Sequence, residues 1–167
     1  IQNRILNKDY KYTFKLNASW ESKYNDFIYQ IETNNFGFRD YKIRKIMPTD
    51  NIFFFAGASF LEGVGLDFEN TLLGKLKTNT SKDNVYLNSG VASYSPYLYK
   101  RKIKSFIKEN PEIKLKKVII LFDKSDPIDD QLYINHTGVF NDIVNEPQYK
   151  INIFEKSITI AFFKLLL

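Results

Sequence analysis

The stretch "FFFAGASFLEGVG" (residues 53–65) decides how this chain is read. With Asn51 and Ile52 before it, it begins as a short continuous apolar run, the pattern of a strand buried on both faces of a parallel sheet. The run opens into Gly57-Ala58-Ser59, small residues suited to a tight turn, and one serine stands where the turn must break. On a strand-to-helix elbow such a serine has an exposed hydroxyl with backbone N–H groups beside it, the arrangement of a nucleophile. In a turn with no chemistry attached, the same serine would only satisfy the backbone.

The neighbouring segments extend the pattern. "FENTLLGKLK" (68–77) puts Leu72, Leu73 and Leu76 on one helical face, with Asp67 available as the cap. "NVYLN" (84–88) is a second short strand. In "SYSPYLYKRKIKSFIKEN" (93–110), Ser95 can cap a helix, Pro96 can take its first position, and Asn110-Pro111 ends it. Tyr99, Ile103, Phe106 and Ile107 would share the buried face of that helix, leaving the lysines on the solvated side. "VIILF" (118–122) is a third buried strand. The order β-α-β-α-β with short connections predicts a parallel sheet covered by helices, with a ligand crevice outside the carboxyl ends of the strands.

The flanks differ in character. Residues 1–47 form an aromatic-rich extended lead-in, divided by "MPTD" (47–50) from the α/β region, 48–167. In "YKYTFKL" (10–16) Tyr10, Tyr12, Phe14 and Leu16 alternate with Lys11, Thr13 and Lys15, as in a half-buried strand. "FIYQIET" (27–33) is a second candidate, and "NNFGFRD" (34–40) a turn in which Gly37 can take positive φ. Trp20 is expected to pack against the sheet or to line a carbohydrate-binding wall. The segment "DKSDPIDDQ" (123–131) is acidic and polar, and irregular structure is expected up to Pro147. From about Asn152 a last helix is expected, with Phe154, Ile158, Ala161, Phe162 and Leu165 on one face.

Composition bounds the function. A chain of 167 residues, 44% hydrophobic and 16% aromatic, can build a core, which excludes global disorder. Its net charge of +5 comes from scattered lysines, so no nucleic-acid partner is expected. The absence of cysteine excludes disulfides, thiolate metal sites and a cysteine nucleophile, and leaves cell envelope and cytoplasm equally open. The carboxylates of Asp123, Asp126, Asp129 and Asp130 lack the spacing of a metal loop, so neither metal nor cofactor is expected. The run "ITIAFFKLLL" (158–167) is interrupted by Lys164 and too short to span a bilayer, so no transmembrane segment is expected. With Ile1 first and no polar tail after Leu167, the native protein is expected to continue.

Three strand tips converge in such a sheet: Gly57-Ala58-Ser59, Asn88-Ser89-Gly90, and Asp123-Lys124-Ser125-Asp126. The order "GASFLEGVG", "YLNSGVASYSP", "IILFDKSDPIDD", preceded by "NNFGFRD", resembles the bacterial SGNH (GDSL-type) hydrolases. The resemblance covers residues 51 to about 130 and implies a three-layer α/β/α sandwich with a flavodoxin-like sheet. It implies Ser59 as the nucleophile and Gly90 N–H and Ser125 as oxyanion donors; Asn88, Asp126 and His136 are further candidates to line the site. The implied substrate is an ester, an O-acyl group on a carbohydrate or another small ester. Ala58 replaces the aspartate of the family's first block, and Ser125 the asparagine of its third. The family's Asp-x-x-His block is missing, because Tyr133 stands three positions before His136, the one histidine. The chain thus resembles an SGNH domain cut short before its general base, with a degenerate domain that binds a glycan or protein partner as the alternative.

Overall fold

The structure, a computed structural model, describes residues 3–40 and 43–135. The chain divides into two units, Ile1–Asp130 and Gln131–Leu167, and both the lead-in hairpins and the parallel sheet belong to the first.

Two antiparallel hairpins form the lead-in. β1 (Arg4–Asn7) pairs with β2 (Lys11–Phe14), and β3 (Ser19–Tyr24) with β4 (Phe27–Glu32). The sequence pattern exposes β2 and β4 but not β1 and β3, whose residues are mostly half-buried or exposed and carry no apolar alternation. Within 10–16 the expected alternation fails at two places: Thr13 is buried inside the strand, and Leu16 is 56% exposed because the strand ends at Phe14. Trp20 lies 5.6 Å from Phe14, ring to ring, so it ties one hairpin to the other. Gly37 takes φ of +69° as expected; Asn34 Oδ1 closes its turn by accepting from the N–H groups of Phe36 and Phe38.

The second part is mixed α/β, built on a three-stranded parallel sheet in the order β6-β5-β7. β5 is Asn51–Gly57, β6 is Asn84–Asn88 and β7 is Leu115–Leu121. β5 is central, which is why its apolar run is continuous. Successive side chains of a strand point to opposite faces. Phe55 packs with Leu61, Phe68 and Leu73 on one side, while Phe54, fully buried, meets Phe38 at 5.5 Å and Phe106 at 5.0 Å on the other. β7 starts at Leu115, earlier than expected, and its side chains are half-buried or exposed, because among the described residues β5 is its one partner strand.

The helices are α1 (Ser59–Glu62), α2 (Leu72–Thr78), α3 (Pro96–Glu109) and α4 (Asp126–Asn135). The helix expected over 68–77 is interrupted: Phe68–Asn70 is a 3₁₀ turn and Thr71 is extended. Thr71 restarts the helix by accepting from Gly74 N–H at 3.2 Å while donating to Phe68 O at 2.6 Å. Asp67 makes no cap; its carboxylate accepts from Gln30 N–H at 2.9 Å. Leu72 consequently lies 44% exposed, off the buried face.

α3 has the expected limits, but its faces differ from expectation. Leu98, Tyr99, Lys102, Ser105 and Phe106 are buried, whereas Ile107 is 48% exposed. Lys102 is therefore not solvated, because Tyr10 and Phe38 of the lead-in pack over that face of the helix. Ser95 occupies the cap position without capping through its side chain, and Asp130 Oδ1 accepts from Tyr97 N–H at 3.0 Å instead. The acidic segment expected to be irregular is helical from Asp126. Among the described residues no helix is long and apolar enough to cross a membrane.

Candidate functional site

The register places Phe55 opposite Asn88 and Gly57 opposite Leu121, so the carboxyl ends of all three strands lie on one edge of the sheet. Ser59 is the first residue of α1, directly beyond the central strand. It is half-buried, and among the described residues its hydroxyl has no hydrogen-bond partner. The first turn of a helix leaves its leading N–H groups without intrahelical acceptors. Around Ser59 these belong to Ser59, Phe60 and Leu61, while Glu62 N–H reaches Ala58 O at 2.9 Å.

α1 is only one turn long, so it is held from outside. Gly63 closes it in the left-handed region, φ +78°, with its N–H on Ser59 O at 2.9 Å. Arg39 is buried and gives its guanidinium to the carbonyls of Glu62 at 2.7 Å, Gly63 at 2.6 Å and Gln30 at 3.0 Å, and to that of Leu66. The side chain of Glu62 turns the other way. It takes Arg4 Nη2 at 3.1 Å and the N–H of Ala92, while Ala92 O accepts from Tyr12 OH at 2.7 Å. Burial pushes the Glu62 carboxyl above the usual range, against the pull of Arg4. The end of α1 and the loop after it are thus fixed to the lead-in, through Arg39 and Arg4. Arg39 lies in "NNFGFRD", and the one sequence signal of its role is the oddity of a charged residue beside two phenylalanines.

Asn88 and Gly90 come together with α1. Asn88 Nδ2 donates to Leu61 O at 3.0 Å, and Asn88 Oδ1 accepts from Gly90 N–H at 3.0 Å. The N–H expected to face an oxyanion is therefore engaged by its own neighbour. Gly90 is required for another reason: a Cβ there would lie 2.6 Å from Glu62 N and 2.8 Å from Leu61 C, both backbone atoms. Gly90→Ala is expected to cost about 1–3 kcal/mol by overpacking; chemical denaturation reads it directly, and an unchanged midpoint would refute the close approach.

The third tip is self-contained. Ser125, exposed, donates its hydroxyl and its N–H to Asp123 Oδ1 at 3.0 and 2.9 Å, and its carbonyl accepts from Ile128 and Asp129 to start α4. Its described hydrogen bonds all fall within that turn, and none reaches Ser59 or Gly90. Asp126 is buried, accepting from Asp123 N–H at 3.0 Å and from Tyr99 OH at 3.1 Å. The acidic residues therefore hold turns and helix starts; among the described residues no group of them could hold a metal ion. His136 and the helix expected from Asn152 lie outside the described residues.

Asp126 has a consequence for pH. Burial raises its carboxyl to about 6 from 3.8, against the opposing hydrogen bonds of Asp123 N–H and Tyr99 OH. Between those values the native state holds a proton that the unfolded chain has released, so stability falls as pH rises through this window. Asp126→Asn should flatten that slope in thermal unfolding, with Glu62 and Asp130, also raised by burial, leaving a residue of the same sign. A slope identical to that of the native chain would refute the assignment.

No protein-family model, no curated protein and no solved structure matches this chain.

Proposed function

We propose that the chain is a serine acyl hydrolase domain of the SGNH type, extending the parallel sheet into a three-layer α/β/α sandwich with flavodoxin-like order. The observation that carries the proposal is Ser59: a half-buried hydroxyl, without a hydrogen-bond partner among the described residues, on the first residue of a helix beyond the central strand of a parallel sheet. Packing of Phe54 and Phe55 against elements on opposite sides of β5 favours the layered arrangement. In the reaction, Ser59 Oγ attacks the acyl carbonyl of an ester, the developing oxyanion is met by N–H groups at the elbow, and the alcohol leaves as an acyl-serine forms. Water then releases the acid. The serine proton passes to a histidine that is not among the described residues. Gly90 N–H joins the donors only if it exchanges Asn88 for the substrate. The substrate class is a small ester, an O-acyl group on a carbohydrate in particular.

A second possibility has its own observation. Gly90 N–H and Ser125 are both committed to internal partners, as expected of a domain that keeps the fold and binds a glycan or a protein without turnover. Hydrolysis of 4-nitrophenyl acetate by the native protein separates the two. Turnover lost in Ser59→Ala supports the hydrolase; no turnover by folded native protein favours the binding domain.

A further inference from the structure

Away from the elbow, the β1–β2 hairpin, the 35–38 turn and α3 line a half-open cavity of about 370 Å³. That volume is in the range of small-molecule sites. Its walls include Tyr10, Phe36, Phe38 and Phe106, and among these apolar surfaces stands one cation, Lys102. Lys102 is 2% exposed, and its ammonium donates to Ser89 O at 3.0 Å. It lies 5.6 Å from the ring of Tyr10 and 5.2 Å from that of Phe38, two rings that line the cavity, and 5.2 Å from Tyr94. Ring faces attract the charge, but they supply no counter-ion. No carboxylate among the described residues reaches it within ion-pair distance, whereas Arg4, Arg44 and Lys77 each have one.

A buried ammonium without a paired carboxylate is costly, and an aromatic cavity beside it offers the place where an anion would sit. We propose that this cavity is a ligand site for a small monocarboxylate with an apolar body, the carboxylate paired with Lys102 and the body held among Phe36, Phe38 and Phe106. A doubly charged anion such as phosphate fits less well. The carboxylate of Glu109 belongs to the same wall, where it accepts from Ser105 Oγ at 2.6 Å, and its repulsion is about twice as large for a dianion as for a monocarboxylate. Burial lowers Lys102 to about 7, partly opposed by Glu62, and burial with the charge of Glu109 raises the Tyr10 phenol to about 12, so the phenol stays neutral. A bound carboxylate would draw Lys102 back toward its ordinary value and hold its contact to Ser89, next to Gly90.

The test is calorimetric titration of the native protein at pH 6 with phenylacetate and with its neutral counterpart 2-phenylethanol. Phenylacetate should bind at least about tenfold more tightly, the worth of a charge-assisted hydrogen bond. Lys102→Met should bring the two ligands to near parity. Leu16→Trp, on an exposed part of the wall, should weaken both, and it decides the matter alone if Lys102→Met fails to fold. Equal affinities in the native protein, no binding of phenylacetate at millimolar concentration, or binding unaffected by Leu16→Trp would overturn the proposal.

Discussion

Replacing Arg39 with methionine is expected to remove about 3–5 kcal/mol of folding stability, a large part of the ~5–15 kcal/mol of an ordinary domain. The effect does not come from the charge. Arg39 is fully buried, and its guanidinium satisfies the carbonyls of Glu62, Gly63, Gln30 and Leu66, all of which would otherwise lack that donor. An unsatisfied buried acceptor costs about 1–3 kcal/mol, and losses within one network do not add fully. Methionine fills the space of the stem but donates nothing. Lysine keeps the charge but has no planar fork to reach carbonyls on both the 62–66 loop and β4, so Arg39→Lys should recover less than half of the loss. Urea unfolding of the three proteins measures this. A difference below about 1 kcal/mol for Arg39→Met would mean that the loop after Ser59 is held by other contacts.

Ser59→Ala is expected to leave stability within about 0.5 kcal/mol of native and to reduce ester hydrolysis at least about a thousandfold. The two halves of this expectation have different sources. Stability is spared because the hydroxyl is half-buried and has no hydrogen-bond partner among the described residues, so no contact is lost. Activity is lost because alanine has no atom with which to form the acyl intermediate, and no neighbouring group supplies one. Gly90→Ala is the informative contrast, since it should reduce both together by shifting the elbow itself. Equal rates for Ser59→Ala and native protein would assign any hydrolysis to another residue.

Much of the α/β region is legible in the sequence because its signals are local. The run 52–56 is apolar at consecutive positions, as a central strand buried on both faces requires, and Pro96 and Asn110 mark both ends of α3. The departures share one cause, a tertiary partner that overrides local pattern. Helical periodicity alone assigns Lys102 to solvent, yet the lead-in packs Tyr10 and Phe38 over that face. Asp67 is the better local cap, but β4 takes its carboxylate, and Thr71 caps in its place. The acidic start of α4 hides it, although Asp123 and Asp126 are the residues that build its first turn.

At the elbow, position is legible and hydrogen bonding is not. Ser59, Asn88 and Gly90 fall on one edge of the sheet as the strand order implies. What no pattern announces is that the partners of Asn88 and Gly90 are each other and the end of α1. The clamp of Arg39, Arg4 and Glu62 is equally silent. Each of these residues belongs to a different segment, and only the fold brings them within reach.

The central claim is that Ser59 is a nucleophile, and the most direct measurement is covalent capture. The native protein is treated with a fluorophosphonate, digested, and its peptides weighed by mass spectrometry. The expected result is a single phosphonyl adduct on the peptide carrying Ser59, absent from Ser59→Ala. A folded native protein that takes up no label, or one labelled elsewhere and equally in Ser59→Ala, would contradict it.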